Sequence, residues 1–233
     1  MLTRKIKMTK SYIYLNSTSP RRIEIMKKLL AIFDEKDFIF RTNIPIFKED
    51  LDKSTFSNSE EYVRKNCSLK TCRETVKKCV AEARELQNGD DNFQVVILSA
   101  DTILTDKTKK KILEKPTDAK HNFIMLEEQI MEESMLCITA VDLVKYDLNG
   151  KNKELQCLGR DEYVTTTELI MDKRCMNHGF VQSYANSGEG KDAAGGFKIQ
   201  ENGGFMVKEI RGDYYNVVGL PFNETLNRLY SFI

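Results

Sequence analysis

A strand–turn–helix pattern at residues 12–30 constrains the fold of this 233-residue chain more than any other stretch. Four apolar and aromatic residues at 12–15 predict a short strand, and a small polar turn follows it. Ser19 suits a helix N-cap, and Pro20 suits the first helical position, where a missing N–H costs nothing. Apolar residues at helical spacing after Pro20 then predict an amphipathic helix that reaches about residue 30.

Two arginines, Arg21 and Arg22, lie in the first turn of this predicted helix. A helix N-terminus carries partial positive charge, so each arginine costs about 0.3–1 kcal/mol there if it is unscreened. An anion bound by the free N–H groups, the Ser17 and Ser19 hydroxyls and the guanidinium groups would reverse that sign. Two interpretations stay open: an anion site, or a capped surface helix whose arginines point into water.

Helix and strand patterns alternate through the first half of the chain. A strand is predicted at residues 38–42. An unbroken helical period then predicts one long helix that is capped by Ser57 or Ser59 and reaches about residue 87. The β-branched and apolar run at 95–98 is typical of a central strand that is covered on both faces. We expect this strand to end in the polar residues 99–102, and binding sites collect at such strand ends in open α/β sheets.

The second half is predicted to contain, in chain order, a helix at 118–129, a hairpin of strands 137–148 and 154–169 joined at Asn149 and Gly150, a helix at 171–183, short strands at 196–200 and 205–210, and a closing helix from Pro221. Eight of the 12 glycines lie between Gly188 and Gly219, which indicates turns and close backbone approaches there. Helices interleaved with strands, together with an antiparallel hairpin, predict an α/β fold with a mixed twisted sheet and flanking helices.

Composition excludes several classes of protein. The net charge of +1 argues against a nucleic-acid binder, and no apolar run is long enough to cross a membrane. The 6 cysteines form no C-x-x-C pair and the 2 histidines lie far apart, so zinc spacing is absent. Residues 1–10 lack the apolar segment of a secretory signal, so we expect them to be a flexible tail and the protein to be cytoplasmic, with reduced thiols.

Neither a GxxxxGK[ST] motif nor a G-x-G-x-x-G motif after a strand is present, which leaves a scattered set of charged candidates. These are Arg21, Arg22, Glu49 or Asp50, Lys70, Asp101 and Lys115. Arginine and lysine side chains would bind the phosphates of a nucleoside triphosphate. Carboxylates would hold a divalent cation, Mg²⁺ or Mn²⁺, and would orient or deprotonate an attacking water.

Several ordered motifs resemble those of one known family. The S-x-S-P-R-R pattern at 17–22 is similar to the N-terminal signature of the Maf nucleotide pyrophosphatases. Residues 100–102 resemble the family's A-D-T motif, 114–116 its K-P motif and 217–221 its C-terminal V-V-G-L-P block. The resemblance covers nearly the whole chain. It implies a single domain at 11–233 with two lobes around a central cleft, in a Maf/ITPase-like fold that is often dimeric, so a homodimer is expected.

The resemblance also implies roles for individual residues. It assigns catalysis to Asp101, Glu49 and Asp50, metal binding to Asp101 and Glu49, and substrate binding to Ser17, Ser19, Arg21, Arg22, Lys70, Lys115 and Gln200. A long acidic loop leaves the metal-binding acid open between Glu49 and Asp50. The family's D-K-A-G motif is D-A-A-G at 192–195, so a lysine is missing, and Lys191 is a candidate replacement.

The implied activity is hydrolysis of a nucleoside triphosphate to the monophosphate and pyrophosphate, with dTTP and UTP preferred and modified uridine triphosphates accepted. Gln200 could match part of a pyrimidine edge with its amide, or it could be an ordinary strand-end residue with its amide in water. Two other functions stay open. One is a nucleotide-binding regulator with weak turnover, for example in cell division, and the other is a phosphosugar- or phosphopeptide-binding module that needs only the two arginines.

Overall fold

A mixed six-stranded β-sheet forms the centre of the computed structural model, which describes residues 10–33, 38–87, 92–149 and 154–232. In the order in which they lie across the sheet, the strands are β2 (Phe38–Asn43), β1 (Lys10–Asn16), β3 (Phe93–Thr105), β4 (Ser134–Asn149), β5 (Glu154–Met171) and β6 (Val207–Arg211). β1 pairs in parallel with β2 and β3, whereas the pairs from β3 to β6 are antiparallel. The predicted α/β class with a mixed sheet is confirmed.

Helices cover both faces of this sheet. They are α1 (Pro20–Leu30), α2 (Ser59–Lys70), α3 (Arg73–Leu86), α4 (Ala119–Met131), α5 (Phe180–Ser187), α6 (Tyr214–Val218) and α7 (Phe222–Phe232). Ile13 and Leu15 of β1 pack in a core with α1 and α7, while Tyr12 and Tyr14 pack against α3 on the opposite face. Within the described ranges, no helix is both long and apolar enough to span a membrane.

The predicted β-turn-α unit at the start of the chain is present. β1 begins at Lys10, so the last residue of the predicted tail belongs to the sheet, and residues 1–9 lie outside the described ranges. Ser19 occupies the N-cap position of α1 and Pro20 follows it. The apolar side of α1 is buried at Ile25, Met26, Leu29 and Leu30. Burial of this stripe fixes α1 on the sheet and brings its N-terminus to the end of β1.

The third strand is longer than the sequence predicts. β1 pairs with β3 only as far as Leu15 opposite Leu98, and β3 then continues to Thr105 while paired with β4. The predicted strand end at residues 99–102 is therefore wrong, and Asp101 lies inside β3, opposite Ala140. The polar residues stay in the strand because β4 supplies partners for their backbone groups. Their side chains lie just beyond the end of β1.

The prediction of a single helix that reaches residue 87 is also wrong, because the structure contains two helices in this stretch. α2 ends at Lys70, and α3 begins at Arg73 after an extended Cys72 with φ −69° and ψ 167°. The Lys70 carbonyl accepts hydrogen bonds from the Asn16 side-chain amide (2.8 Å) and from the Thr75 hydroxyl (3.0 Å). These long-range and local partners replace the helical continuation. The predicted stop at residues 88–90 lies outside the described ranges.

The second half differs from prediction mainly around its glycines. The β4–β5 hairpin is confirmed, although the predicted turn residue Gly150 lies outside the described ranges. The helix predicted at 171–183 is wrong: β5 ends at Met171, a 3₁₀ segment follows, and α5 begins only after Gly179, whose φ is 69°. No strand forms at 196–200 within the described chain, because Gly196 adopts φ 75° and a Cβ there would lie 1.9 Å from Asn122 Oδ1. The last predicted strand is present as β6.

Candidate active site

A cleft of about 400 Å³ opens where β1 ends beside β3, between the N-terminus of α1 and the C-terminus of α2. The predicted site residues that line it are Ser17, Ser19, Arg21, Arg22, Glu49, Lys70, Asp101, Lys115 and Gln200. Asp50 is exposed and does not line the cleft. The structure thus brings together side chains from distant parts of the sequence, and of the two neighbouring acids it places Glu49 in the cleft.

Lys70 lies at the centre of the charged cluster. Its ammonium nitrogen is 2.7 Å from Asp101 Oδ1 and 2.7 Å from Glu49 Oε1, and it donates to the Ala100 carbonyl at 3.2 Å. The Lys70 side chain is only 3% exposed and that of Asp101 is 9% exposed. Burial alone would lower the pKa of Lys70, but the carboxylates of Asp101 and Glu49 outweigh it and raise the pKa. Lys70 is therefore a buried, charged cation between two acids.

Asn66 holds the other side of the Asp101 carboxylate. Its amide nitrogen donates to Asp101 Oδ2 at 2.8 Å, and the residue is fully buried. The Asn66 carbonyl oxygen has no hydrogen-bond partner among the described residues, which costs about 1–3 kcal/mol. Sequence reasoning missed this residue. The available signal was its position four residues before Lys70, on the same helix face, where most neighbours are apolar.

The two arginines face the cleft with different partners. Arg22 donates from Nε to the Gly219 carbonyl (2.8 Å) and from Nη2 to Thr102 Oγ1 (2.9 Å). Burial lowers the pKa of Arg22, but a guanidinium stays protonated in proteins. Arg21 donates from Nη1 to Asp192 Oδ2 at 2.9 Å. The interpretation in which both arginines point into water is therefore wrong.

The N-terminus of α1 also faces the cleft. Ser19 is the N-cap residue, but its side chain forms no capping hydrogen bond within the described ranges. The Ser19 backbone N–H donates instead to Ser17 Oγ at 3.2 Å. Because the Ser19 side chain satisfies none of the first-turn N–H groups of α1, these donors are available to an anion in the cleft.

Asp192 and Lys198 belong to the site and were not predicted as such. Asp192 Oδ1 lies 3.1 Å from Lys198 Nζ, while its other oxygen accepts from Arg21. Burial would raise the pKa of Asp192, but hydrogen bonds from Arg21 and Lys198 outweigh it and lower the pKa. Lys191, the candidate replacement for the missing lysine, is exposed and does not line the cleft. Lys198 is the lysine of this segment that does.

A further ion pair, between Glu114 and Lys53, holds the acidic loop against the cleft. Glu114 accepts a hydrogen bond from the Tyr62 hydroxyl at 2.7 Å, and its second oxygen lies 2.6 Å from Lys53 Nζ. Burial and the neighbouring Glu114 carboxylate raise the pKa of Tyr62. Together with the Glu49–Lys70 pair, this contact fixes the loop at both ends of residues 49–53. Glu114 therefore lines the cleft while it is paired with Lys53 of the loop.

The charges that line the cleft suit a polyanion bound together with a cation. The cations are Arg21, Arg22, Lys70, Lys115 and Lys198, and the carboxylates are Glu49, Asp101, Glu114 and Asp192. Five positive and four negative side chains leave a net charge of +1. No group of three or more potential metal-ligating side chains occurs in the described part of the chain. A metal ion here would therefore need ligand atoms from the bound molecule as well.

The family model and the curated relatives agree on one family. The model of the family described as "Maf-like protein" matches residues 12–232. A dTTP/UTP pyrophosphatase of Saccharomyces cerevisiae is 35% identical over 94% of this chain and 89% of its own length. A dTTP/UTP pyrophosphatase of Clostridium botulinum is 34% identical over 91% of this chain and 94% of its own. A solved structure of a HAM1 protein from Coxiella burnetii covers 94% of this chain and 98% of its own, at 13% identity and a TM-score of 0.44.

Proposed function

Because this chain belongs to the Maf family, we propose that it is a nucleoside triphosphate pyrophosphatase that hydrolyses dTTP and UTP to the monophosphate and pyrophosphate. The single observation that carries this proposal is the cleft itself. It places five cations beside a buried Asp101 and a neighbouring Glu49. A triphosphate needs the cations, and an attacking water needs the carboxylate.

The triphosphate binds along the cations of the cleft. The N-terminus of α1 and the Ser17 and Ser19 hydroxyls bind one phosphate, where Arg21 and Arg22 add positive charge. Lys70 and Lys115 supply point charges for the remaining phosphates of the substrate. Arg21, Arg22 and Lys70 are already held by protein partners, so they stabilise charge that develops on the phosphoryl oxygens with little reorganisation.

Hydrolysis is an attack of water on the α-phosphorus. The water oxygen forms a bond to that phosphorus while the bond from it to the bridging oxygen of the β-phosphate breaks, and pyrophosphate leaves. Asp101 accepts the water proton as general base, since its carboxylate faces the cleft and is held by Lys70 and Asn66. Lys70 remains protonated and keeps the Asp101 and Glu49 carboxylates in place.

A divalent cation, Mg²⁺ or Mn²⁺, fits the donor set. Asp101 and Glu49 converge within 2.7 Å of the Lys70 ammonium, and oxygen ligands are what such cations prefer. We propose that these two carboxylates hold the cation together with phosphate oxygens of the substrate, as Mg²⁺ commonly binds in nucleotide sites. When bound, the cation would neutralise phosphate charge.

Product analysis tests the proposed reaction. We expect dTTP to yield dTMP and pyrophosphate as initial products, and hydrolysis in ¹⁸O-water to place the label in dTMP. Orthophosphate as the initial product would contradict cleavage at the α-phosphorus, and label in pyrophosphate would place the attack on the β-phosphorus. Omission of the divalent cation in the same assay tests the proposed metal dependence.

Gln200 is proposed to select the base. It lies on an exposed turn after Ile199 and lines the cleft, and its amide offers both a donor and an acceptor to a pyrimidine edge. We expect dTTP and UTP to be preferred over ATP and GTP by about ten- to a hundredfold in kcat/KM. Gln200→Ala should flatten this preference and leave the cation dependence intact. Equal turnover of purine triphosphates by the wild-type protein would refute the assignment.

Lys198 should matter more to substrate binding than Lys191. Replacing Lys198 by glutamine removes a cation that lines the cleft, and we expect kcat/KM for dTTP to fall by about tenfold, chiefly through KM. Lys191→Gln is the matched control, because that lysine lies in the same segment but is exposed and does not line the cleft. Steady-state kinetics on both variants decide the matter. Equal effects of the two changes would contradict a specific role for Lys198.

A further inference from the structure

Asn66 and Lys70 lie one helical turn apart on α2, and each donates a hydrogen bond to a different oxygen of the Asp101 carboxylate. Lys70 Nζ is 2.7 Å from Oδ1, and Asn66 Nδ2 donates to Oδ2 at 2.8 Å. A carboxylate held by two donors from one rigid helix cannot rotate freely about its last side-chain bond. The orientation of this carboxylate, which lines the cleft, is thereby fixed.

The fold does not require an amide at this position. Asn66 is fully buried and its carbonyl oxygen has no partner in the part of the chain that the structure describes. Its helix neighbours Val63 and Cys67 belong to an apolar cluster with Ile103 of β3. Leucine shares the γ-branched shape of asparagine but carries methyl groups in place of the polar atoms, so it would place no unpaired oxygen on this apolar face. The NH2 group of Asn66 is satisfied by Asp101, whereas its carbonyl oxygen has no partner among the described residues. The contact with Asp101 therefore explains why an amide occupies this buried position.

We propose that Asn66 is a positioning residue of the active site, which fixes the orientation of the Asp101 carboxylate for catalysis. This inference rests on the proposed function, in which Asp101 receives the proton of the attacking water. Asn66 itself lies behind Asp101 and is not among the residues that line the cleft. Its effect is therefore expected in the catalytic step and not in substrate binding.

Three variants separate positioning from packing. Asn66→Leu removes the donor, and we expect kcat for dTTP to fall by about 10- to 100-fold, with KM within about threefold of wild type. Asn66→Asp keeps the size but puts a second carboxylate against Asp101, so its kcat should fall further. Ser59→Ala is the matched control, because it removes another buried oxygen of α2 that has no partner among the described residues and no contact to Asp101. Its kinetic constants should equal those of the wild type.

Two results would overturn the proposal. One is an Asn66→Leu variant in which both kcat and KM equal the wild-type values. The other is a variant in which KM rises while kcat stays constant. A crystal structure of Asn66→Leu adds a readout that does not depend on activity: we expect the Asp101 carboxylate to be rotated from its present position, and an unmoved carboxylate would also refute the inference. Failure of the proposed function is distinguishable, because then the wild-type protein itself would release no pyrophosphate.

Discussion

Replacing Asp101 with asparagine should lower kcat/KM for dTTP by about 100- to 10,000-fold, or about 3–5 kcal/mol in the activation free energy. Asparagine keeps the shape of the side chain, and its single oxygen can still accept from Lys70 or Asn66, but it cannot accept the proton of the attacking water. Steady-state kinetics with pyrophosphate detection measure the loss. Binding of a non-hydrolysable dTTP analogue should persist, which separates a catalytic defect from a folding defect.

The same experiment distinguishes an enzyme from a nucleotide-binding regulator, because a binding module would tolerate the change. Asp50→Asn serves as the control, since Asp50 is an exposed acid outside the cleft, next to Glu49. We expect this control to stay within about threefold of wild type, a difference of roughly 0.7 kcal/mol. An Asp101→Asn enzyme that is equally active would show that another group takes the proton.

Lys70→Met should reduce both activity and stability. Methionine keeps the length of the side chain but leaves Asp101 and Glu49 facing each other without the buried ammonium. Loss of one partner of a buried ion pair costs about 3–5 kcal/mol, which corresponds to a midpoint lower by about 6–20 °C in a protein of this size. Thermal unfolding and pyrophosphate release measure the two effects, and we expect at least a hundredfold loss in kcat/KM.

The direction of the Lys70 pKa shift determines how its contribution to the free energy of unfolding depends on pH. Its carboxylate partners raise the pKa of Lys70 above the ordinary value of 10.5. The contribution of Lys70 to the free energy of unfolding is therefore complete at neutral pH, and it is lost only as the pH rises through the folded-state pKa.

Mg²⁺ should recover part of the unfolding temperature lost in Lys70→Met, because a divalent cation can neutralise the same carboxylates. A midpoint within about 2 °C of wild type without Mg²⁺ would contradict a stabilising role for Lys70.

Local sequence patterns were sufficient for the helices and strands in which buried apolar residues recur at regular spacing. The strand–turn–helix at 12–30, the β4–β5 hairpin and the closing helix α7 all follow from apolar spacing together with a proline or turn residues. Such patterns are local because they reflect which side of one element faces the core. The oligomeric state, the division into two lobes and the cellular location stay predictions.

Element boundaries depended on tertiary partners that the sequence does not display. Two stretches of continuous helical period meet at Lys70, and the Asn16 amide and the Thr75 hydroxyl bind its carbonyl at the break. Likewise, β3 runs past residue 99 because β4 continues beside it after β1 has ended. The glycine-rich segment turns where a strand was predicted, because Gly196 adopts φ 75°, which lies outside the strand region.

The sequence indicated which residues carry the chemistry, but only the tertiary structure decided how they are paired. Arg21 meets Asp192 across 171 positions, and Asn66 meets Asp101 across 35. No periodicity encodes such contacts, because they arise where the end of one strand, the start of one helix and the end of another converge on a single cleft. For that reason the motifs predicted Asp101 and the arginines, whereas Asn66 and Lys198, which belong to no motif, could be identified only after the chain was folded.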